Sequence, residues 1–270
     1  MQEIVTVTEQ KILIVESNTP DLISNGYRPA ADYFISTFGA LDETVICSVT
    51  RPYEAPLKVQ ELEGIDGVVF TGSSVDWSCD SKQAAPLRDT MSHAFKNSVP
   101  VWGSCNGLQL AGVVLGGSVG ASSNGIEAGV SKEIRKTVAG KKHAMLTGRE
   151  DIYAVPCIHI DEIKRLPLDA VILAENDHSP VQAFGYSSGG LDFWGTQYHP
   201  ECTAFNIAEE LKLSSKHVFN KAALVNDLKS SQDDPVAAER LGTSCEELKP
   251  SVRTIELRNW LEHIKVKKPH

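Results

Sequence analysis

A single cysteine stands where the chain passes from an apolar segment into a helical pattern. Cys105 is the central residue of Gly103–Gly107, which reads Gly-Ser-Cys-Asn-Gly and follows the apolar segment Ser98–Trp102. Two flanking glycines permit a sharp strand-to-helix turn that exposes the central side chain at the edge of a sheet. A thiol near a helix N-terminus is favoured as the thiolate, which is the reactive form. The alternative is an inert buried cysteine in a glycine-rich turn, and the paired glycines favour a nucleophile over it.

A second segment, Gly195–Glu201, reads Gly-Thr-Gln-Tyr-His-Pro-Glu and follows an apolar strand pattern. Side chains two residues apart on an extended chain point the same way, so His199 and Glu201 can share one side. The carboxylate then orients the imidazole, which takes the thiol proton and later donates it to a leaving amine. The alternative is that His-Pro-Glu only ends a strand and starts a helix, whose dipole Glu201 complements. With Cys105, these residues predict a catalytic triad.

Together these segments resemble the class I glutamine amidotransferase family, which has a Gly-x-Cys-x-Gly turn and a downstream Tyr-His-Pro-Glu. The resemblance continues, in the family's order, in Val68–Ser74, Leu115–Gly117 and His159–Glu162, and it covers roughly Lys11 to Glu201. Within the family it is strongest to stand-alone proteins that resemble the amidotransferase domain of GMP synthase.

The resemblance implies a covalent γ-glutamyl thioester on Cys105, which water releases after ammonia or an amine departs. An oxyanion hole would stabilise the tetrahedral intermediates, with backbone N–H donors from Gly72 or its neighbour Ser73 and from Asn106. The resemblance implies neither a metal nor an organic cofactor.

Four further residues match family positions near the substrate. Gln109 lies four residues after Cys105, hence on the same face of the predicted helix, and is assigned to substrate binding; the alternative is a helix-surface glutamine. Glu127 matches a position near the glutamine pocket, although the residue before it is isoleucine where arginine is frequent. His159 and Asp161 match a loop that approaches the substrate, and a structural role in that loop is equally compatible with the sequence.

Asn106 departs from the family, because close relatives commonly place a large aromatic or aliphatic side chain after the nucleophile. The backbone donor survives any substitution, but the pocket wall changes. We hypothesise that a smaller polar wall admits a γ-glutamyl group with a leaving amine bulkier than ammonia.

The glycine-rich segment Ser188–Asp192 resembles the phosphate-binding loop of ATP pyrophosphatases. Such a loop must open a helix, whereas the residues that follow it lead as a strand to His199. We therefore predict a hairpin turn.

Composition limits the class of protein. The chain has 270 residues, 41% of them hydrophobic, and a net charge of −9 without a charged tail, which indicates a folded protein with neither nucleic acid nor membrane as a partner. Residues 1–10 lack an export pattern, and the six cysteines lack the spacing of a zinc site or disulfide framework, so we expect a cytoplasmic location.

The first half alternates apolar runs with helical patterns, which predicts an α/β fold with a doubly wound, mostly parallel sheet. The predicted strands are Lys11–Val15, Glu43–Val49, Gly67–Phe70 and Ser98–Trp102, and the predicted helices between them are Arg28–Phe38 and Ala84–Asn97. A β-rich part follows, in which Ala170–Ala174, Val181–Phe184 and Leu191–Gln197 should include antiparallel pairs.

We predict a catalytic domain over residues 1–202 and a C-terminal helical extension over residues 203–270. Its helices are predicted at Ile207–Leu213, Ser215–Leu228, Pro235–Leu241 and Ser251–Ile264. They either pack back on the sheet or, through Glu256–Leu261, form part of a homodimer or partner interface.

Three functions are compatible with these residues. The first is a glutaminase component that makes ammonia for a separate synthase subunit, and the second is a free-standing hydrolase of γ-glutamyl amides, peptides or amines. The third is a non-enzymatic or redox-sensing protein on the same scaffold, against which the filled triad positions argue.

Overall fold

The structure is a computed structural model that describes residues 9–267. The prediction on an export signal, which concerns residues 1–10, therefore falls almost entirely outside the described residues. In the described part, no helix is long and apolar enough to cross a bilayer.

A nine-stranded sheet forms the centre of the molecule, and two further strands form a small separate sheet. The strands are β1 (Gln10–Val15), β2 (Val45–Thr50), β3 (Gly67–Phe70), β4 (Val101–Ser104), β5 (Ser118–Ala121), β6 (Glu127–Lys136), β7 (Ile152–His159), β8 (Asp161–Arg165), β9 (Val171–Glu175), β10 (Ala183–Ser188) and β11 (Leu191–Thr196). The large sheet has the order β2-β1-β3-β4-β11-β10-β9-β6-β7, and β5 pairs with β8.

The sheet is parallel from β2 to β11 and antiparallel beyond it. The predicted doubly wound α/β class is confirmed, as are antiparallel pairs in the later half. The predicted strand Ser98–Trp102 starts later, at Val101, because Ser98 has a positive φ of 54° and Pro100 has no N–H to donate to a ladder. The hairpin predicted at Ser188–Asp192 joins β10 to β11, with positive φ at Gly189 and Gly190.

The helices are α1 (Pro20–Ser24), α2 (Ala31–Leu41), α3 (Ala85–Lys96), α4 (Asn106–Val114), α5 (Ala204–Leu213), α6 (Lys221–Ser230), α7 (Pro235–Arg240), α8 (Cys245–Leu248), α9 (Pro250–Arg253) and α10 (Ile255–Lys267). The predicted helix Ser215–Leu228 begins only at Lys221, after Asn220 in the left-handed region. The predicted helix Ser251–Ile264 is divided at Thr254, whose hydroxyl donates to the Pro250 carbonyl at 2.6 Å.

The strand residues alternate between two cores, one on each face of the sheet. Ile12 and Ile14 of β1 contribute to one core, whereas Leu13 and Val15 contribute to the other. This alternation is the two-residue period of a strand buried on both faces. The first core also receives Leu257, Trp260, Leu261 and Ile264 of α10, so this helix packs against the sheet.

The contact between α10 and the sheet yields a test. A Cβ atom on Gly67 would lie 2.7 Å from a ring carbon of Trp260, so we expect Gly67→Ala to lower the free energy of unfolding by about 1–3 kcal/mol. The control is Gly39→Ala in α2, where a Cβ meets nothing within 4 Å and alanine should stabilise the helix by up to about 1 kcal/mol. Urea denaturation measures both, and equal stability of the two variants would contradict this packing.

Candidate active site

The backbone at Cys105 has the strained geometry expected of a nucleophile on a tight turn. Its φ is 49° and its ψ is −100°, and it lies between the end of β4 and the first residue of α4. The flanking glycines are required by close packing. A Cβ on Gly103 would lie 2.6 Å from the Gly107 backbone, and one on Gly107 would lie 2.3 Å from the Phe70 carbonyl oxygen. Larger residues at these positions would force the turn apart.

The pairing of β4 with β11 brings the second segment beside the nucleophile. These strands run parallel with Thr196 opposite Ser104, so the residues after both strands emerge at the same edge. The Cys105 N–H donates to the Thr196 carbonyl at 2.7 Å, and the His199 N–H donates to the Pro156 carbonyl at 2.9 Å. The two catalytic candidates are thus placed by backbone hydrogen bonds.

His199 and Glu201 form a buried hydrogen-bonded pair. Nδ1 of His199 lies 2.8 Å from Oε1 of Glu201, and both side chains are less than 10% exposed. The Ser104 hydroxyl donates to the other carboxylate oxygen at 3.0 Å. Burial alone would lower the pKa of His199, but the charge of Glu201 outweighs it and the pKa lies well above its usual 6.5. The pair is therefore arranged to hold a proton on the imidazole.

The thiol of Cys105 lies beside the imidazole, and its interaction with the ring helps to raise the pKa of His199. The sulfur donates to the Ile158 carbonyl oxygen at 3.6 Å, while Nε2 of His199 forms no well-aligned hydrogen bond with any of residues 9–267. The orphaned Nε2 is the atom that would exchange a proton with the thiol and a leaving amine. Catalytic hydrogen bonds are often long or misaligned in the absence of substrate, so a rotation of the thiol towards Nε2 is compatible with this geometry.

One group of potential metal ligands lies in this part of the chain. Within the described residues, ligand atoms of His199, Glu201 and Cys202 lie within 4.8 Å of one another. An ion there would have to compete with the 2.8 Å hydrogen bond that joins the imidazole to the carboxylate. The donor set is therefore better suited to acid–base chemistry than to metal binding.

Gly72 lies directly against the imidazole. A Cβ on this residue would lie 2.7 Å from Cε1 of His199, so the absence of a side chain at position 72 leaves room for the imidazole ring as well as for a substrate. The next residues are held by Asn18, whose side-chain oxygen accepts the Ser74 N–H at 2.9 Å. No acceptor among residues 9–267 is bonded to the backbone N–H of Ser73.

Asn106 follows the nucleophile directly and also lines the cleft. Its side-chain amide donates to the sulfur of Cys79 at 3.3 Å, and the side chain is buried in the cleft wall. Its backbone N–H is the first of α4 and, within the described part of the chain, is bonded to no acceptor. The N–H groups of Ser73 and Asn106 therefore remain available to an oxyanion.

A cleft of about 230 Å³ opens beside Cys105 and is lined by three of the predicted substrate-binding residues, Gln109, His159 and Asp161. The Gln109 amide donates to the Asp161 backbone carbonyl at 2.6 Å and to Gln197 at 3.2 Å. Gln109 is thus buried in the wall of the cleft and joins α4 to the start of β8.

Glu127 lies behind the cleft rather than in its lining. Its carboxylate accepts hydrogen bonds from Ser131, Asn176 and Gln182, and it lies 2.7 Å from Nε2 of His159. Burial raises the pKa of Glu127, but the hydrogen bond and charge of His159, with the other donors, lower it to about 2. The structure places Glu127 where it holds His159 against the cleft.

Several residues near the site were not predicted from the sequence. Arg253 of α9 is buried and donates to the Pro200 carbonyl, between His199 and Glu201. The buried Glu256 of α10 accepts from Tyr198 at 2.7 Å and pairs with Arg149. These partners are 50 or more residues apart from one another, so no local pattern in the sequence links them.

A carboxylate of α5 also reaches the site unpredicted. Glu210 lines the cleft beside Cys105 and a smaller adjoining cavity of about 40 Å³ that His199 lines. It accepts hydrogen bonds from Tyr33 at 2.8 Å and Ser74 at 3.3 Å.

The fold and site define a class of enzyme: an amide hydrolase with a cysteine and a histidine–glutamate pair at the carboxyl edge of a doubly wound sheet. Comparison with known proteins agrees, since the model of the family "Glutamine amidotransferase class-I" matches residues 36–211. The chain belongs to this family.

The names of similar proteins indicate the type of reaction. The γ-glutamyl-L-1-hydroxyisopropylamide hydrolase of a Pseudomonas species is 31% identical over 77% of this chain and 76% of its own length. The γ-glutamyl peptidase 5 of Arabidopsis thaliana is 28% identical over 80% of this chain and 88% of its own. A GMP synthase of Caldicellulosiruptor saccharolyticus is 28% identical over 69% of this chain but only 34% of its own length. The prediction of an enzyme that hydrolyses glutamine or another γ-glutamyl amide is confirmed.

Solved structures agree with the fold. A glutamine amidotransferase of Thermotoga maritima superposes with a TM-score of 0.64 over 95% of this chain and 98% of its own, at 20% identity. One of Methylobacillus flagellatus superposes with a TM-score of 0.61 over 97% of this chain and 98% of its own, also at 20% identity.

The contact of Gly72 with the imidazole predicts a large effect of one methyl group. In Gly72→Ala the added Cβ must displace His199, and a displacement of about 1 Å lowers turnover by roughly 100-fold. Initial rates on a γ-glutamyl amide measure the effect, and Gly39→Ala, whose Cβ meets nothing, serves as the control. Full activity of Gly72→Ala would show that the imidazole does not occupy this position.

The low pKa of Glu127 predicts a pH dependence of stability. An unfolded glutamate titrates near 4.5 and folded Glu127 near 2, so its contribution of roughly 3 kcal/mol is present above pH 4.5 and is lost as the pH falls towards 2. We expect Glu127→Gln to be less stable than the wild type at pH 6 and to lose less stability on acidification. Chemical denaturation at several pH values tests this, with the exposed Glu150→Gln as control. Parallel pH profiles of the wild type and Glu127→Gln would contradict it.

Proposed function

We propose that this protein is a free-standing γ-glutamyl amide hydrolase in which Cys105, His199 and Glu201 act as the catalytic triad. The observation that carries the proposal is the position of Cys105 beside His199, which is hydrogen-bonded to Glu201, where the cleft lined by Cys105 adjoins the small cavity lined by His199. The six cysteines are free, which suits an enzyme that works in the reducing cytoplasm.

Attack begins when the sulfur of Cys105 adds to the γ-carbonyl carbon of the substrate. Negative charge develops on the carbonyl oxygen, and the N–H groups of Asn106 and of Ser73 or Gly72 stabilise it. His199 holds the thiol proton at Nε2 and transfers it to the amine nitrogen as the carbon–nitrogen bond breaks. Glu201 keeps the protonated imidazole oriented throughout.

The resulting γ-glutamyl thioester is released by water. His199 takes a proton from the attacking water and returns it to the sulfur as the carbon–sulfur bond breaks, which yields glutamate and regenerates the thiol. We assign Gln109, His159 and Asp161 to the cleft wall that receives the γ-glutamyl group, and Glu127 to the positioning of His159.

The relatives favour a free-standing enzyme over an ammonia-producing subunit. The two relatives matched over most of their own length are named as a γ-glutamyl amide hydrolase and a γ-glutamyl peptidase. The GMP synthases match over about a third of their length. Hydrolysis of a substituted γ-glutamyl amide is therefore the proposed reaction.

A second candidate is a glutaminase component with a separate synthase partner or a homodimeric assembly. Phe205, Leu213 and Phe219 are exposed in α5 and the segment after it, and exposed apolar side chains are features of interaction surfaces. Activation of glutamine hydrolysis by an added synthase would favour this candidate.

The test is hydrolysis by the purified protein of glutamine and a set of substituted γ-glutamyl amides. We expect Cys105→Ala to lower kcat by at least about 10⁴-fold, because no other nucleophile replaces the thiol. The control is Cys47→Ala, which removes a thiol of β2 outside the cleft lining.

Mass spectrometry of acid-quenched wild-type enzyme should also find one γ-glutamyl group attached, and none on Cys105→Ala. Undiminished turnover by Cys105→Ala would refute the cysteine mechanism.

A further inference from the structure

The leaving amine must lie on the His199 side of the nucleophile, because the imidazole donates a proton to its nitrogen. The cleft beside Cys105 and the small adjoining cavity that His199 lines share only part of their lining. Gln109 and Asp161 line the cleft beside Cys105 but not the small cavity that His199 lines. Ser74 and Glu210 line both. A substituent on the leaving nitrogen therefore points towards Ser74 and Glu210.

Glu210 is a partly buried carboxylate whose hydrogen-bond partners are both neutral. Each of its oxygens accepts one hydrogen bond from a neutral hydroxyl, Tyr33 on Oε1 and Ser74 on Oε2. No cationic side chain of residues 9–267 forms an ion pair with it. By contrast, buried Glu256 pairs with Arg149. A carboxylate offers about four acceptor positions, so two of those on Glu210 remain for a ligand.

A lysine in the lining of the cleft is already engaged in an ion pair. Lys216 lines the same cleft but pairs with Asp76 at 2.6 Å. Burial outweighs the hydrogen bonds from Tyr33 and Ser74 and the charge of His199, so the pKa of Glu210 lies above its usual value, as expected of a carboxylate without a full complement of partners. A donor on the ligand would complete this complement.

We propose that Glu210, with Ser74 beside it, forms a leaving-group subsite that selects amines bearing a second hydrogen-bond donor, either a hydroxyl or an ammonium group, over ammonia and plain alkylamines. This inference rests on the proposed hydrolase function and names the substrate class of that site. Discrimination is expected because the bound substrate covers this partly buried carboxylate, and an acceptor that an alkyl group covers and leaves unpaired costs more than the hydrogen bond itself contributes.

Three γ-glutamyl amides of equal heavy-atom number test the subsite: the n-butylamide, the 3-hydroxypropylamide and the 3-aminopropylamide. They place a methyl, a hydroxyl and an ammonium group at the same position. For the wild type we expect kcat/KM of both donor substrates to exceed that of the butylamide by about tenfold or more, as one hydrogen bond to a charged group implies.

The variants then separate charge from hydrogen bonding. For each donor substrate the ratio of its kcat/KM to that of the butylamide is compared. Glu210→Leu should bring both ratios close to one. Glu210→Gln should reduce the ratio of the aminopropylamide more than that of the hydroxypropylamide. The control is Glu209→Gln, one residue away on the same helix and paired with surface lysines, which should leave both ratios unchanged. Because ratios are compared within one preparation, a partly unfolded variant does not imitate the result.

Two outcomes overturn the subsite. Equal kcat/KM for the three substrates in the wild type, or a uniform decrease for all three in Glu210→Leu with the ratios kept, shows that Glu210 does not contact the leaving amine. If that turnover is lost in Cys105→Ala, the proposed hydrolase function stands and only the subsite is refuted. Failure of the wild type to hydrolyse these amides and glutamine refutes the hydrolase function and the subsite together.

Discussion

The parallel pairing of β4 with β11 is the constraint on which the site depends. It places Thr196 opposite Ser104, so that two segments some ninety residues apart in the chain end at the same edge of the sheet. The Cys105 N–H then bonds to the Thr196 carbonyl across the pair. A register shift of one residue would turn every following side chain to the other face and separate the thiol from His199. The triad residues are therefore held together by the rigid interior of the sheet and not by contacts between neighbours in the sequence.

Burial of the triad makes hydrogen bonding to Glu201 necessary. An unpaired carboxylate in the interior costs several kcal/mol, whereas each hydrogen bond to a charged group returns about 1.5–3 kcal/mol. Oε1 is bonded to His199 and Oε2 to Ser104, whose hydroxyl in turn accepts from Trp102. Ser104, the residue before the nucleophile, thus holds Glu201 in place. The same turn therefore positions both Cys105 and Glu201.

The C-terminal helices participate in the site although they follow the triad in the chain. Arg253 bonds to the carbonyl of Pro200, Glu256 accepts from Tyr198, and Glu210 lines the cleft. The buried pair of Arg149 and Glu256 joins α10 to the central part of the chain. The division between a catalytic domain and an extension at residue 202 remains a prediction, but the side chains that surround His199 come from both parts.

Local patterns in the sequence were sufficient for the nucleophile turn, the approximate positions of the parallel strands and the hairpin at Gly189 and Gly190. Each depends on neighbouring residues: glycine volume, apolar alternation, or the φ that a turn requires. Helix breaks were predicted less well, since the predicted helix Ser251–Ile264 is divided at Thr254 although neither glycine nor proline marks the break in the sequence. The placement of Gly72 against the imidazole, of Glu127 behind His159 and of Glu210 in the cleft was decided only by the tertiary structure. These contacts join residues 32 to 136 positions apart, and such distances carry no periodicity that a single sequence could reveal.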